Sequence, residues 1–148
     1  MATDVLNADS VIKELSNIVE LDYDAIAAYR AAIDRIDDTG YTAKLEEFVK
    51  DHERHVRELS EVIRREGGTP PDSGDAKKML TKGQVVIADI AGDKAILNAM
   101  KMNEQQTVSK YESATKEAFP EHVQTLLDKG LEDERRHKAW IERTLEAA

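Results

Sequence analysis

The amino-acid sequence predicts an all-α protein, a four-helix bundle of two helical hairpins joined by a long crossover that carries a short extra helix. Three observations carry that prediction. Apolar residues recur at alternating three- and four-residue spacing along four long stretches, the pattern of a helix with one buried face. Short turn signals separate the first stretch from the second and the third from the fourth, whereas a segment rich in glycine and proline separates the two pairs. The second half also repeats the first at a fixed offset, as a bundle of two alike hairpins would.

The first stretch reads Ile12, Leu15, Val19, Asp22, Ile26, Tyr29, Ile33, Ile36, a single seam with one carboxylate in its middle. Thr39 and Gly40 are expected to break the chain before the second seam, Leu45, Val49, His52, Val56, Leu59, Ile63, where His52 is the polar member. "EGGTPPDSGD", residues 66–75, reads as loop, and "KKMLTKGQVVIADIAG" as a short amphipathic connecting helix ended by Gly92. Asp93 is placed to cap the third long helix, whose seam is Leu97, Met100, Glu104, Val108, Tyr111, Thr115, Ala118, stopping at Phe119 and Pro120. The fourth carries Leu127, Leu131, Glu134, His137, Ile141 and Leu145. The organisation expected is one domain over residues 1–148, with hairpins at 11–65 and 93–146 and the crossover at 66–92.

A chain of 148 residues, 41% hydrophobic and 34% charged, suits a single compact domain with a core. No apolar run has bilayer-spanning length and no signal-type segment opens the chain, so a cytoplasmic location is expected. The absence of cysteine excludes disulfides, thiolate metal sites and thiol nucleophiles, leaving oxygen and nitrogen as the only donors for a metal. A formal charge of -9 argues against nucleic acid and anionic membranes as partners and is compatible with metal ions. Homodimerisation is the modest expectation for assembly.

An offset of 82 residues, without a gap, carries Asp22 onto Glu104, Tyr29 onto Tyr111, Asp51 onto Asp133, Arg54 onto Arg136 and His55 onto His137. Among the candidate ligands only His52, which falls on Glu134, changes chemistry. Asp22 and His55 lie symmetrically about the first predicted turn, and Glu104 and His137 about the second. A rise of about 1.5 Å per residue then puts both pairs roughly 20 to 25 Å from their turns, deep in the bundle. Six ionisable groups converge at one level: Asp22, His52, His55, Glu104, Glu134 and His137. Burying them uncompensated would cost several kcal/mol per group, and a bound cation removes that cost.

At these residues the chain resembles the ferritin-like di-iron carboxylate superfamily, in particular its small single-domain members related to rubrerythrin and bacterioferritin. The resemblance spans about residues 12 to 146 and implies a ferritin-like bundle. That superfamily supplies a glutamate from each of two helices and a Glu-x-x-His motif from each of the other two. "DERRH" matches the motif with Glu134 and His137, and Glu104 followed by Tyr111 matches the third-helix pattern. Asp22 with Tyr29 repeats it with aspartate, while "DHERH" puts His52 where the motif has the glutamate that bridges two metals.

The functional expectation is a metal-binding protein that holds one or two iron ions, with manganese or zinc as substitutes. Asp22, His52 and His55 would hold one ion and Glu104, Glu134 and His137 the other. Ferroxidase- or peroxidase-type chemistry, oxidising Fe(II) or reducing oxygen or peroxide, is the implied activity. The rival expectation is a non-enzymatic bundle, metal-free or with a structural ion, acting in oligomerisation or partner binding, its polar layer setting helix register. Asp51 and Asp133 each precede a histidine by four residues and can orient an imidazole or face solvent. Tyr29 and Tyr111 read as core aromatics whose hydroxyls can bond a ligand carboxylate. Arg54 and Arg136 read as surface charges or ion-pair partners, Met100 and Met102 as packing, Trp140 as a partly buried anchor or an oligomer contact, and His122 as lying outside the cluster.

Overall fold

A computed structural model describes residues 5–73 and 90–148. The described residues form four long helices: α1 Ala8–Arg35, α2 Thr39–Arg65, α3 Asp93–Thr115 and α4 Glu121–Ala147. The expected connecting helix falls on residues outside those described. Among the described helices none is long and apolar enough to cross a membrane.

Asn7 caps α1, its side-chain oxygen accepting the Ser10 N–H at 2.9 Å. The chain turns at Ile36 to Asp38, not at Thr39 and Gly40 as the sequence suggests. Asp38 accepts the N–H groups of Gly40 and Tyr41 at 2.8 and 3.0 Å, so Thr39 and Gly40 already belong to the first turn of α2. A cap outweighs a breaker there, because glycine in a first turn forfeits little. Asp93 likewise does not cap α3, which follows Gly92 at a φ of +99°. Its carboxylate instead accepts the N–H groups of Asp37 and Asp38 at 2.8 and 3.0 Å, tying the start of the second hairpin to the turn of the first.

Helix α1 packs against α2 and α3, and α4 against the same two. Tyr29 of α1 meets Glu104 of α3 while Asp22 meets Tyr111, so these two helices run antiparallel. Since α1 also opposes α2 across a short turn, α2 and α3 run parallel on the diagonal, the arrangement a long crossover produces. The seams are wider than a strict seven-residue repeat. In α1 the buried stripe is Val11, Leu15, Ile18, Val19, Asp22, Ala25, Ala28, Tyr29 and Ala32, while Ile12, Ile26 and Ile33 are only half-buried. A straight helix drifts by about 20° per heptad from a 3.5-residue spacing, and a helix with two neighbours buries a broad face. Val56, Thr115, Ala118 and Leu145 shift outward to the same half-buried state. Met102 does not pack in the core as expected; it is 67% exposed, whereas Met100 is fully buried.

Two apolar clusters fill the bundle. One gathers Val11, Leu15, Leu59, Ile63, Val123 and Leu127, and the other Ala32, Leu45, Phe48, Ile96, Leu97 and Ile141. Between them lies a layer of buried ionisable side chains.

Candidate metal centre

The six residues singled out from the sequence meet in that layer. Asp22, His52, Glu104, Glu134 and His137 have no exposed surface, and His55 is 6% exposed. Each arrives on the inner face of its helix because the positions between are apolar and must be buried too. Their donor atoms form two sets whose members lie within 4.8 Å of one another. One set is Asp22, His52, His55 and Glu134; the other is His52, Glu104, Glu134 and His137. His52 and Glu134 therefore belong to both, where the sequence placed one in each set.

Glu134 faces both sets with different atoms. Its Oε1 lies 3.3 Å from His52 Nδ1 and 3.4 Å from His55 Nδ1, and its Oε2 lies 3.3 Å from His137 Nδ1. His52 turns Nδ1 to Asp22 Oδ1 at 2.8 Å and Nε2 toward Glu104 Oε1 at 3.6 Å.

The partners around these groups cross between the hairpins. His137 Nε2 lies 2.8 Å from Asp51 Oδ2, and His55 Nε2 lies 2.8 Å from Asp133 Oδ2. Each aspartate thus holds the histidine of the opposite hairpin, not the one four residues along its own helix. The Tyr111 hydroxyl donates to Asp22 Oδ2 at 2.7 Å, and Tyr29 donates to Glu104 Oε1. Of the two readings for Arg54 and Arg136, ion-pair partners is the one the structure shows: each reaches both Asp51 and Asp133, closing a ring of ion pairs over the α2–α4 side. Their recurrence at the common offset was the sequence signal for this ring. Phe48, stacked on His137 at 4.2 Å between centroids, carried no such signal.

Burial and charge oppose each other throughout the layer. Burial pushes the Asp22 carboxyl up, and hydrogen bonds and charge from His52 and His55 more than reverse this, leaving it below its ordinary value. Glu104 ends below its ordinary value as well, burial being outweighed by His137 and His52. Glu134 ends above: burial and the Glu104 charge prevail over the attraction of the neighbouring His52, His137 and His55 imidazoles. Burial lowers all three imidazoles, but the carboxylates win. His52 is held well above its ordinary value, chiefly by Glu134 and Asp22. His55 rises to about 11 through Asp133 and Asp22, and His137 to about 9 through Asp51 and Glu104. Burial and the neighbouring carboxylates keep both tyrosines protonated, as donors.

One group of atoms is left over. His52 Nε2, Glu104 Oε2, both oxygens of Glu134 and His137 Nδ1 are buried without a hydrogen-bond partner. Orphaned polar atoms are rare in native interiors, and these five belong to one of the two donor sets and point at one another. Carboxylate oxygens and imidazole nitrogens are the donors that divalent first-row metals take, so the residues fit a metal.

The family described as "Domain of unknown function (DUF2383)" matches residues 10–117. No curated protein matches the chain. Among solved structures, it is similar to the crystal structure of ferritin-like, diiron-carboxylate proteins from Bacillus anthracis str. Ames, at 22% identity and a TM-score of 0.72, over 98% of this chain and 99% of that one. The fold is thus ferritin-like.

Proposed function

The chain belongs to the DUF2383 family, whose description carries no activity, and we propose from its centre that it is an iron-binding protein of ferritin-like fold. The observation that carries this reading is the set of five buried, unpartnered donor atoms on His52, Glu104, Glu134 and His137. Asp22 and His55 would complete a second position beside them, with His52 and Glu134 between the two. Iron bound there would supply Fe(II) oxidation coupled to reduction of oxygen or peroxide. Manganese and zinc suit the same donors.

The chain's own residues prepare the place. Asp51 and Asp133 hold the Nε2–H groups of His137 and His55, which turns each Nδ1 toward the centre. Tyr29 occupies Glu104 Oε1 and leaves Oε2 free to bind, and Tyr111 occupies Asp22 Oδ2 while Oδ1 faces His52 and His55. The two apolar clusters keep bulk water from the layer above and below.

A second reading has its own support. Three carboxylates and three imidazoles balance in charge when the imidazoles are protonated, and the raised values of His52, His55 and His137 favour that state. A metal-free bundle with a charge-balanced layer would then act by oligomerisation or partner binding. Elemental analysis of protein purified without chelator, followed by anaerobic Fe(II) titration, separates the two. Saturable binding of one or two ions per chain is expected; no metal as purified and no saturable uptake would leave the second reading standing.

A further inference from the structure

We propose that a neutral, water-sized molecule reaches the centre from one side only, through a gap beside His55 and Tyr111 where the internal repeat puts Gly130 and Glu58 in place of two aromatic rings. The proposal rests on the metal-binding reading and names the ligand class that reading admits: water, dioxygen or hydrogen peroxide.

The offset of 82 residues pairs His55 with His137 and Tyr111 with Tyr29, so the two ends of the centre should be covered alike. They are not, because the same offset pairs Gly130 with Phe48 and Glu58 with Trp140. At the His137 end, Phe48 stacks on the imidazole and Trp140 packs edge-on against Phe48, with centroids 5.7 Å apart. His137 is sealed. At the His55 end neither ring has a counterpart among the described residues. A cavity of about 10 Å³ opens there, lined among others by Arg54, His55, Glu58, Tyr111, Lys129 and Gly130.

Gly130 is required where it stands. A Cβ at that position would fall 2.5 Å from Tyr111 Cε1, so only glycine lets the ring lie against the backbone of α4 and still donate to Asp22. A glycine inside a helix costs about 1 kcal/mol, which the close approach accounts for. Outside it, Glu58 turns along its own helix to pair with Arg54 at 3.1 Å and so does not cover the opening. About 10–15 Å³ is the least space that accepts one water. A cavity of this size stands at the lower limit for one water and excludes any organic substrate, and its lining sets the apolar surface of Leu59 and Leu126 beside the polar groups of Arg54, His55 and Glu58, as suits a small neutral molecule.

The test fills the gap from two directions. Glu58→Trp supplies the ring found at Trp140, and Lys129→Trp narrows the same opening from α4. Glu47→Trp adds equal bulk to the exposed position that the repeat pairs with Lys129, on the closed side. With Fe(II)-loaded protein and nitric oxide as the neutral diatomic probe, stopped-flow absorbance should give association at least tenfold slower in the two filled variants and within twofold of the parent in Glu47→Trp. In metal-free protein, cross-relaxation from water should reach the ring protons of His55 and Tyr111 but not those of His137 and Tyr29, and Glu58→Trp should abolish it. Unchanged nitric oxide rates in both filled variants, or equal water contact at the two ends, would overturn the proposal. Failure to bind Fe(II) would overturn the metal reading instead, and the water contacts alone would then decide whether the gap exists.

Discussion

At the scale of single residues, Glu134 is the side chain on which the centre most depends. Both of its oxygens are buried without a donor, and each faces a different set of ligand atoms. Glu134→Ala should weaken Fe(II) binding at least tenfold, whereas Glu53→Ala, on the exposed side of α2, should stay within twofold; equal losses in equilibrium dialysis would remove the argument from position. His52 occupies the place where a second carboxylate would share negative charge between two adjacent cations. His52→Glu should therefore tighten the weaker of two Fe(II) sites, read by anaerobic titration, and two equally tight sites in the unsubstituted protein would show that His52 limits nothing. The six candidate ligands were readable from the sequence because five of them interrupt an apolar seam and four, Asp22 with Glu104 and His55 with His137, recur at the common offset. What was not readable is that Asp51 serves His137 and Asp133 serves His55. An offset relates two halves of a chain; it does not say which helix faces which across the bundle.

At the scale of elements, the four helices follow from periodicity, but their ends depend on competition between capping groups. Thr39 and Gly40 look like a break, yet Asp38 one residue earlier captures two N–H groups and starts α2 there. Asp93 looks like a cap for its own helix and is spent on another. Because its two oxygens hold the N–H groups of Asp37 and Asp38, Asp93→Ala removes the bond between the hairpins at that end. The expected loss is about 1–3 kcal/mol in urea unfolding, the value of hydrogen bonds to a charged acceptor. Asp9→Ala, in the first turn of α1, should change the midpoint much less; equal effects would reduce Asp93 to an ordinary first-turn acid.

For the whole molecule, the ionisable layer makes stability depend on pH in a direction set by its histidines. In metal-free protein His55 and His137 keep their protons up to about pH 11 and 9, against about 6.5 for an unfolded chain. The folded state then binds more protons than the unfolded one across that interval, so this stabilisation is complete below about pH 6.5 and declines as pH rises through 9. In chelator, the urea midpoint should fall between pH 6 and pH 9, while Fe(II) binding, which needs deprotonated imidazoles, should strengthen over the same range. A midpoint that rose would reverse the sign assigned to the layer. The aspartate or tyrosine that holds a ligand from outside the two donor sets also comes from the other hairpin: Asp51 with His137, Asp133 with His55, Tyr29 with Glu104, Tyr111 with Asp22. Neither hairpin supplies these four outer partners to its own ligands. Two copies of one hairpin turned about a twofold axis would satisfy the same exchange, so joining both halves in one chain serves to raise the effective concentration of each around the other.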